Sequence, residues 1–334
     1  MAFLLASPLV LSSCEPFPVN PPVNVNMAAK DVLVLCEGNF MWGNAQLDLL
    51  HMDSMRIDQD IYRIVNNRGI GDVLQHGILL GNSYFLSVNN SGKVVKIDAK
   101  DLRLKQMNPN LSSPRYLMAV NGNIWVTDLY SGKISLLDTG DLSLKKTIDI
   151  KGWTEQMVGW RGDVFVANYA GGVHGFTSDG IRNASPVLKT DSATQYLVVD
   201  HKNRLWAMST QQGKGKLYQF ASPDQENPSL VLDLGADVSK LTMNTTGDTM
   251  YFLTPTAVKK MSVDALQLNE IQVFVSGFQH AYGLGISPDN QFLMVGDAKD
   301  FVSNGKLSIY SLQTGALVKT VSTGVNPSAF VFKP

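Results

Sequence analysis

Short runs of alternating apolar and polar residues, separated by tight polar turns, recur along the chain from about residue 31 onward. Runs such as RYLMAV, NIWVTDL, KISLLDT and LKKTIDI are rich in β-branched and aromatic residues, and Asn-Gly, Ser-Gly and Gly-Asp pairs divide them. This alternation is typical of β-strands joined by hairpins. No stretch shows the periodicity of a long amphipathic helix. The pattern therefore predicts an all-β protein.

The same hydrophobic pattern returns about every 40 residues. Bulky residues at matching positions are spaced by 40, 40, 41, 45 and 42 residues, and they are Phe85, Trp125, Phe165, Trp206, Tyr251 and Leu293. An earlier unit, KDVLVLCEGNFMWGNAQLDLLHMD, fits with a longer tail. Four strands in each of seven repeats predict a seven-bladed β-propeller with four-stranded blades. The WD dipeptide and its Gly-His partner are absent from the repeats, which argues against that propeller family.

The two ends of the repeat region complement each other. The C-terminal NPSAFVF (326–332) aligns with the opening strand of other units, such as SPRYLMAV at 113–120, and the first unit, starting at Asp31, lacks that strand. The last strand is therefore predicted to complete the first blade, which leaves no open sheet edge. Residues 31–334 are predicted to form a single propeller domain.

The first 30 residues differ from the repeats. An apolar stretch, Phe3–Leu11, is too short to span a membrane and leads into Leu-Ser-Ser-Cys ending at Cys14. This is typical of a lipoprotein signal over residues 1–13, after which Cys14 is acylated. Residues 14–30 then form a semi-rigid tether rich in proline. The alternative is a plain secretory signal in which Cys14 is incidental.

Composition narrows the classes of function. The net charge of -1 and 17% charged residues argue against a nucleic-acid partner, which requires a basic face. Cys36, the only other cysteine, reads as a small buried apolar residue, so no disulfide is expected. The five histidines lack the spacing of metal ligands, and no Gly-x-Ser-x-Gly nucleophile motif occurs. We therefore expect no catalytic residues, no metal and no cofactor, and a protein that is not an enzyme.

Three stretches in the first two repeats carry a family resemblance. They are VLCEGNFMWGNAQLDLLHMDS, RGIGDVLQ and SYFLSVNNSGKVVKID. They resemble the YncE-like seven-bladed propellers of Bacteroidetes surface lipoproteins, which typically read Asn-Glu-Gly-Asn-Phe, Leu-Gly-Asp-Val-Ala-Gln and Val-Asn-Asn-Ser-Gly-Lys at these points. Here Cys36 replaces the usual Asn, Ile70 the Leu and Leu74 the Ala.

The resemblance extends to the BtuG-type lipoproteins, and it implies a function. It implies a lipid-anchored protein on the outer membrane, exposed at the cell surface, that binds cobalamin or another corrinoid as a ligand. It also implies that the ligand passes to a TonB-dependent outer-membrane transporter beneath. Because a fold does not dictate function, two alternatives stay open. They are a surface scaffold that binds protein or glycan and a metal-dependent propeller hydrolase.

A column of polar residues at the start of each first strand is the first candidate for a binding site. Sevenfold repetition would place the column as a ring at the mouth of the central channel. Its members are Gln75, Arg115, Gln156, Gln195, Lys240, Tyr282 and Ser328. The alternative is that any residue at a wet channel mouth is polar. The ring as aligned contains no carboxylate, which weighs against a metal-dependent hydrolase.

Loops on the same face supply aromatic residues that suit a wet binding surface. They are Phe40, Trp42, Tyr130, Trp153, Tyr169 and Phe301, with His280 nearby. For a corrinoid, these rings are expected to pack on the flat macrocycle, while Asn39, Asn44 and Asn89 reach its amides. The alternative for each aromatic residue is packing between blades.

Overall fold

The computed structural model describes residues 25–181 and 187–333, and it confirms the seven-bladed β-propeller. Each blade is an antiparallel sheet in which the first strand lies nearest the central channel and each following strand lies farther out. The described residues also contain one short helix, α1 (Ile61–Asn66), and a 3₁₀ turn at Leu268–Glu270. No helix in the described part of the chain is long and apolar enough to cross a membrane.

The strands follow the repeats in chain order. Blade one contains β1 (Val32–Cys36), β2 (Gln46–His51) and β3 (Arg56–Asp58). Blade two contains β4 (Leu74–Leu80), β5 (Ser83–Val88), β6 (Lys93–Asp98) and β7 (Leu104–Asn108). Blade three contains β8 (Pro114–Val120), β9 (Asn123–Asp128), β10 (Lys133–Asp138) and β11 (Leu144–Asp149), and blade four contains β12 (Thr154–Trp160), β13 (Asp163–Asn168) and β14 (Val173–Phe176).

The second half of the ring continues the pattern. Blade five contains β15 (Thr194–Val199), β16 (Leu205–Gln211), β17 (Lys214–Phe220) and β18 (Leu230–Asp233). Blade six contains β19 (Ser239–Met243), β20 (Thr249–Thr254), β21 (Ala257–Ser262) and β22 (Gln272–Ser276). Blade seven contains β23 (Ala281–Ile286), β24 (Phe292–Asp297), β25 (Lys306–Ser311) and β26 (Leu317–Ser322), and the last strand is β27 (Pro327–Phe332).

Strand β27 closes the ring as predicted. It is the innermost strand of blade one and pairs antiparallel with β1, with Val34 opposite Phe330. The C-terminal strand therefore joins the first repeat to the last. Strand β1 is therefore paired on both sides, with β27 and β2, and does not present an open edge that would invite aggregation.

Blade four departs from the four-strand plan within the described residues. Its sheet has three strands, and Leu188 takes the outer position through a single bridge to Val173. Both backbone bonds of that bridge form, from Val173 N to Leu188 O at 2.9 Å and from Leu188 N to Val173 O at 3.0 Å. The outer edge of this blade is therefore a bridge and not a full strand.

The core lies between neighbouring blades and explains the repeat. The bulky residues that revealed the periodicity are all buried, and they are Phe85, Trp125, Phe165, Trp206, Tyr251 and Leu293. Phe165 of blade four, for example, packs in one cluster with Leu205 and Ala207 of blade five. Burial of a large apolar side chain contributes about 1.5–3 kcal/mol, so each blade is stabilised by the next.

The segment before β1 belongs to the folded domain. Met27 is buried in the core, its backbone N–H donates to Lys100 O at 2.8 Å, and Lys333 Nζ donates to its carbonyl at 2.6 Å. Residues 25–30, predicted as the end of a tether, are thus fixed to the propeller because Met27 fills an apolar site. The predicted signal, Cys14 and the rest of the tether lie outside the described residues.

This segment meets the propeller on the face opposite the channel mouth. Lys100 lies in the turn between β6 and β7, and Asp289, which pairs with Lys30 at 3.2 Å, lies in the turn between β23 and β24. Both turns are at the far ends of strands whose other ends border the mouth. Residues 25–30 therefore pack on the side of the domain away from the candidate site.

Candidate functional site

A β-bulge at the start of every innermost strand places one side chain at the channel mouth. The pairing register between the first and second strand of each blade shifts by one residue at this level. A bulge re-aims a side chain and strengthens the local twist. The bulged residues form the mouth ring, and they are Gln75, Arg115, Glu155, Gln195, Lys240, Tyr282 and Ser328.

The prediction for blade four was wrong by one residue. Glu155, and not Gln156, is the second residue of β12 and occupies the ring position. Gln156 lies one step deeper in the channel, where its Oε1 accepts a hydrogen bond from Leu197 N at 2.8 Å. The ring therefore does contain a carboxylate, contrary to the alignment made from the sequence.

Two cavities follow one another along the channel. The outer cavity, of about 550 Å³, opens at the mouth and is lined by five predicted ring members, Gln75, Arg115, Gln195, Lys240 and Tyr282. Phe40 and Asn89, two other residues predicted to bind a ligand, also border it. The inner cavity, of about 140 Å³, lies deeper, and Gln156 and Ser328 face it. Tyr116 and Tyr196 border both cavities.

A buried ion pair joins blades three and four at the mouth. Arg115 Nε donates to Glu155 Oε2 at 3.1 Å, and Arg115 Nη2 lies 3.0 Å from each of the two oxygens. The Glu155 side chain is almost fully buried. Burial raises the pKa of Glu155, and the Arg115 charge acts against that rise. The pair therefore lies where solvent screens it little.

Trp153 and Tyr169 belong to the wall beside this ion pair. Their rings stack on each other at a centroid distance of 3.9 Å and an angle of 8°. The indole N–H of Trp153 donates to Glu155, and the Arg115 guanidinium lies 6.0 Å from the indole ring. Both aromatic residues were predicted to face a ligand. In the structure each keeps only part of its surface open, because the stack covers the rest.

A second polar pair lies at the seam between blades one and seven. Tyr282 donates its hydroxyl to Glu37 Oε2 at 2.7 Å. Burial, followed by the Glu37 charge, raises the pKa of Tyr282 well above its usual value, so this hydroxyl keeps its proton. Lys240 Nζ lies 5.7 Å from the centre of the Tyr282 ring. Sequence reasoning did not select Glu37.

Exposed apolar side chains form a rim above the outer cavity, which we call the apolar rim. Phe40 is 65% exposed, Trp42 72% and Tyr130 78%. Phe40 and Trp42 lie in the loop between β1 and β2 of blade one, and Tyr130 lies in the loop between β9 and β10 of blade three. The remaining members of the rim are Met41, Phe301 and Val302. A group of exposed large apolar residues on one face makes the apolar rim a candidate binding surface.

Asn39 and Asn44 brace the rim loop instead of projecting toward a ligand. Asn39 N donates to Asn44 Oδ1 at 2.8 Å, and Asn44 Nδ2 donates back to Asn39 Oδ1 at 2.9 Å. Asn39 Nδ2 also donates to Phe301 O at 2.9 Å, which joins the loops of blades one and seven. Asn89 is similarly occupied, because its Nδ2 donates to Pro114 O at 3.1 Å.

A further brace fixes the backbone beneath Met41. Asp72 Oδ2 accepts hydrogen bonds from Met41 N at 2.8 Å and from Asn90 Nδ2 at 2.6 Å. Met41 and Phe301 have positive φ values of 69° and 62°, in the left-handed region that such residues rarely adopt. Strain of this kind persists where surrounding contacts enforce it, and it concentrates at functional sites. The rim is therefore held in shape before any ligand arrives.

His280 supports the rim from the side of blade seven. Its ring lies 4.9 Å from the Phe301 ring, and its Nδ1 contacts Lys299 O. The edge of Phe301 also meets Tyr282 at 5.5 Å. His280, Tyr282 and Phe301, which were predicted separately as site residues, are thus brought together in one place.

Three of the site residues that the sequence reasoning missed, Glu155, Tyr116 and Tyr196, can be identified from the repeat. Gln75, Arg115, Glu155 and Gln195 are each 40 residues apart, so strict periodicity selects Glu155. Tyr116 and Tyr196 each follow a ring residue directly, and both border the channel. Glu37 had no such signal, because its role depends on the approach of blade seven.

A metal site does not assemble in the described part of the chain. No group of three or more His, Cys, Asp and Glu side chains there is placed to hold a metal ion. Glu155 is bonded to Arg115 and Trp153, and Glu37 accepts from Tyr282.

Comparison with known proteins shows the fold. No protein-family model and no functionally curated sequence matches the chain. Among solved structures, a quinoprotein alcohol dehydrogenase-like protein of Bacteroides thetaiotaomicron has a TM-score of 0.70 at 13% identity, covering 92% of this chain and 79% of its own. The periplasmic gluconolactonase of Pseudomonas aeruginosa has a TM-score of 0.68 at 13% identity, covering 91% and 99%.

A candidate 6-phosphogluconolactonase of Bacteroides fragilis is similar to the same extent, with a TM-score of 0.68 at 12% identity over 91% of this chain and 97% of its own. The protein is therefore a seven-bladed propeller related in fold to lactonase and dehydrogenase-like propellers, some of them from Bacteroidetes. At such identities the likeness concerns the fold, and function has to be argued from the site.

Proposed function

We propose that this protein is a binding protein that captures cobalamin or a related corrinoid at the channel mouth. The observation that carries the proposal is the apolar rim standing beside a polar cavity of about 550 Å³. This volume lies within the range of small-molecule sites, which is about 300–1,000 Å³. A corrinoid combines a flat ring system with peripheral amides, so it matches a surface that is apolar on one side and rich in hydrogen-bonding groups on the other.

The rim is suited to the flat ring system. Phe40, Trp42 and Tyr130 present rings that are mostly exposed, and aromatic rings cover a large area at a low cost in conformational entropy. The hydrogen bonds around Asn39 and Asp72 hold the loop of Phe40 and Trp42 in place. A rigid surface loses less entropy on binding, which favours affinity.

The outer cavity is suited to polar groups of the ligand. Gln195 and Lys240 line it and have no side-chain hydrogen bond to another described residue in the structure, so both can bond a ligand. Asn326 Oδ1, which also faces the cavity, is buried without a hydrogen-bond partner. Unsatisfied polar groups beside an open cavity favour a ligand with amides or phosphate over a purely apolar one.

The anchor and the partner complete the proposal. A lipid on Cys14 would connect to the domain on the face opposite the mouth, where residues 25–30 pack. That arrangement leaves the mouth accessible to a ligand. In this proposal the protein lies on the outer membrane at the cell surface and passes its ligand to a TonB-dependent transporter.

Calorimetric titration of the full-length protein with cyanocobalamin tests the binding function. We expect one site per chain, and the double variant Phe40→Ala, Trp42→Ala to weaken binding at least tenfold, since truncation of a buried aromatic contact costs about 2 kcal/mol or more. The matched control is Leu317→Ala, which removes an exposed apolar side chain from the outer strand of blade seven. Absence of heat at micromolar protein would refute corrinoid capture.

Two further measurements test the rest of the proposal. Incorporation of radiolabelled palmitate into the wild type, and its loss in Cys14→Ala, would support the lipid anchor; equal labelling would refute it. Affinity purification from solubilised outer membranes is expected to recover a TonB-dependent transporter with the protein. Turnover of lactones that depends on an added divalent metal would instead support a hydrolase.

A further inference from the structure

The inner cavity of the channel is separate from the apolar rim. Almost all of the polar side chains that line it can donate a hydrogen bond. It measures about 140 Å³, well above the roughly 30 Å³ that one water occupies in the liquid. Its polar lining comes from eight side chains of the innermost strands, which are Gln75, His76, Tyr116, Gln156, Tyr196, Lys240, Thr242 and Ser328. The remaining lining is small or apolar. No carboxylate lines this cavity.

Three of these side chains have their acceptor atoms occupied by the wall. Gln75 Oε1 accepts from Arg115 Nη1, and Gln156 Oε1 accepts from Leu197 N at 2.8 Å. His76 Nδ1 accepts from Leu117 N at 3.2 Å. Because an amide has one oxygen and one NH₂ group, each glutamine is left with its N–H donors for the cavity.

The tautomer of His76 follows from the same contact. A backbone N–H can only donate, so Nδ1 carries the lone pair and a neutral ring holds its hydrogen on Nε2. Burial, together with the charges of Lys240 and Arg115, lowers the pKa of His76 to about 3, so the ring is neutral at pH 7. The Nε2–H is the only polar atom of the ring left to meet a ligand.

Lys240 and Ser328 add a positive charge and an unused hydroxyl. The Lys240 ammonium has no ion pair or hydrogen bond to a described residue, and it lines both cavities. Its backbone has φ = 52°, a strained conformation for a lysine, at the bulge that aims it into the channel. Ser328 is 1% exposed, and its Oγ has no partner among the described residues. A buried hydroxyl without a partner loses free energy unless a ligand or water bonds it.

The neighbouring carboxylates, Glu155 and Glu37, do not line this cavity. Glu155 is held by Arg115 and Trp153 above it, and Glu37 is held by Tyr282 in the outer cavity. Glu155 is bonded to Arg115, whereas the Lys240 ammonium contacts the Tyr282 ring and forms no ion pair with a described residue. Donors that converge on a cavity with one positive charge favour an anion with several acceptor oxygens.

We propose that the inner cavity is a binding site for a small oxyanion, such as a carboxylate or a tetrahedral phosphate or sulfate group. The anion would accept hydrogen bonds from His76 Nε2, the two glutamine amides and Ser328 Oγ, and Lys240 would balance its charge. The small size excludes a corrinoid, so this site does not depend on the function proposed for the mouth. The same donors suit a free anion and the anionic end of a ligand that also reaches the outer cavity.

Calorimetric titration of the full-length protein with sodium sulfate and, separately, with sodium acetate tests the site at constant ionic strength. We expect at least one of the two anions to bind with one site per chain. Binding of sulfate alone would assign the site to tetrahedral anions, and binding of acetate alone would assign it to carboxylates. Lys240→Met keeps the length of the side chain but removes its charge, and it should weaken binding at least tenfold. The matched control Lys306→Met removes an exposed lysine from blade seven and should bind like the wild type.

Ser328→Ala is the second variant. It removes only the hydroxyl group, and Ser328 lines the inner cavity but not the outer one. It should weaken anion binding severalfold while cyanocobalamin binding stays unchanged, and Trp42→Ala should do the reverse. Failure of both anions to bind the wild type would overturn the proposal, whatever the outcome with cyanocobalamin. Anion binding that is equal in the wild type and in both channel variants would overturn it as well.

Discussion

Arg115 and Glu155, 40 residues apart in neighbouring blades, form a two-pronged ion pair at the mouth of the channel, with Arg115 Nη2 3.0 Å from both carboxylate oxygens. The Arg115 side chain is 19% exposed and that of Glu155 is 1% exposed. Such a pair ties two blades together, and each partner is costly to leave alone.

We expect Glu155→Gln to destabilise the protein, because it keeps the shape of the side chain but leaves the Arg115 charge unpaired. The expected loss is about 3–5 kcal/mol in the free energy of unfolding, measured by urea denaturation. The double variant Arg115→Met, Glu155→Gln should recover part of that loss, since it removes both charges. A strictly additive double-mutant cycle would show that the pair has no coupling energy.

Asp72 should control affinity without touching the ligand. Asp72→Ala releases Met41 N and Asn90 Nδ2, so the rim loop has to be ordered at the moment of binding. Ordering costs of about 0.5–1.5 kcal/mol correspond to a two- to tenfold weaker affinity for cyanocobalamin by calorimetry. Asp53→Ala, which changes an exposed aspartate on the opposite face, is the control and should bind normally. Unchanged affinity in Asp72→Ala would contradict the role of a pre-formed rim.

Asp48 makes stability depend on pH. Burial raises its pKa to about 6 from 3.8, even though it accepts hydrogen bonds from Asp60 N and Gly324 N. Between pH 3.8 and about 6 the folded state keeps a proton on Asp48 that the unfolded state loses. The stability that Asp48 contributes is therefore fully present below pH 3.8 and is lost as pH rises through about 6. The contribution of this one residue is about 3 kcal/mol.

Asp48→Asn removes that titration. Between pH 4 and pH 7 the wild type should lose up to about 3 kcal/mol of unfolding free energy relative to Asp48→Asn, because only the wild type carries the titrating carboxyl. Urea unfolding at a series of pH values measures the difference, and comparison of the two proteins cancels the other titrating groups. A difference that stays constant over this range would contradict the raised pKa.

Gly296 allows the closing strand to approach blade seven. A β-carbon at this position of β24 would lie 2.1 Å from Pro327 O, which is backbone and cannot move aside cheaply. Gly296→Ala should therefore destabilise the protein by about 1–3 kcal/mol or more by thermal or urea unfolding. Gly159→Ala in β12 is the control, because its β-carbon would meet only the end of Met118 at 3.4 Å. Equal stability of the two variants would show that closure tolerates the extra atom.

The fold was predictable because its signal is periodic. Residues such as Trp125 and Trp206 are buried between blades, so burial repeats with the blade and is visible in the chain. Closure by β27 was predictable for the same reason, since the last repeat fragment supplies the strand that the first repeat lacks. The packing of Met27 was not predictable, because the segment that follows the proline-rich stretch belongs to no repeat and gives no sign of the pocket that holds it.

The site was predictable only in outline. The column of polar residues was correct in six blades, and it failed at Gln156 because the bulge in β12 fixes which neighbour faces the channel. Trp42 was predicted to lie on the binding face and it is exposed, but the amides of Asn39 and Asn44, predicted to reach a ligand, bond each other. Which side chains hydrogen-bond to each other depends on distances across loops, and local sequence does not determine those distances.

Anomalous diffraction at the cobalt absorption edge, from crystals of the protein grown with cyanocobalamin, locates a bound corrinoid directly. We predict one cobalt peak per chain above the outer cavity, beside the loop of Phe40 and Trp42 and on the face opposite Met27. A peak on any other face, or crystals with no cobalt peak despite saturating ligand, would contradict corrinoid capture at the channel mouth.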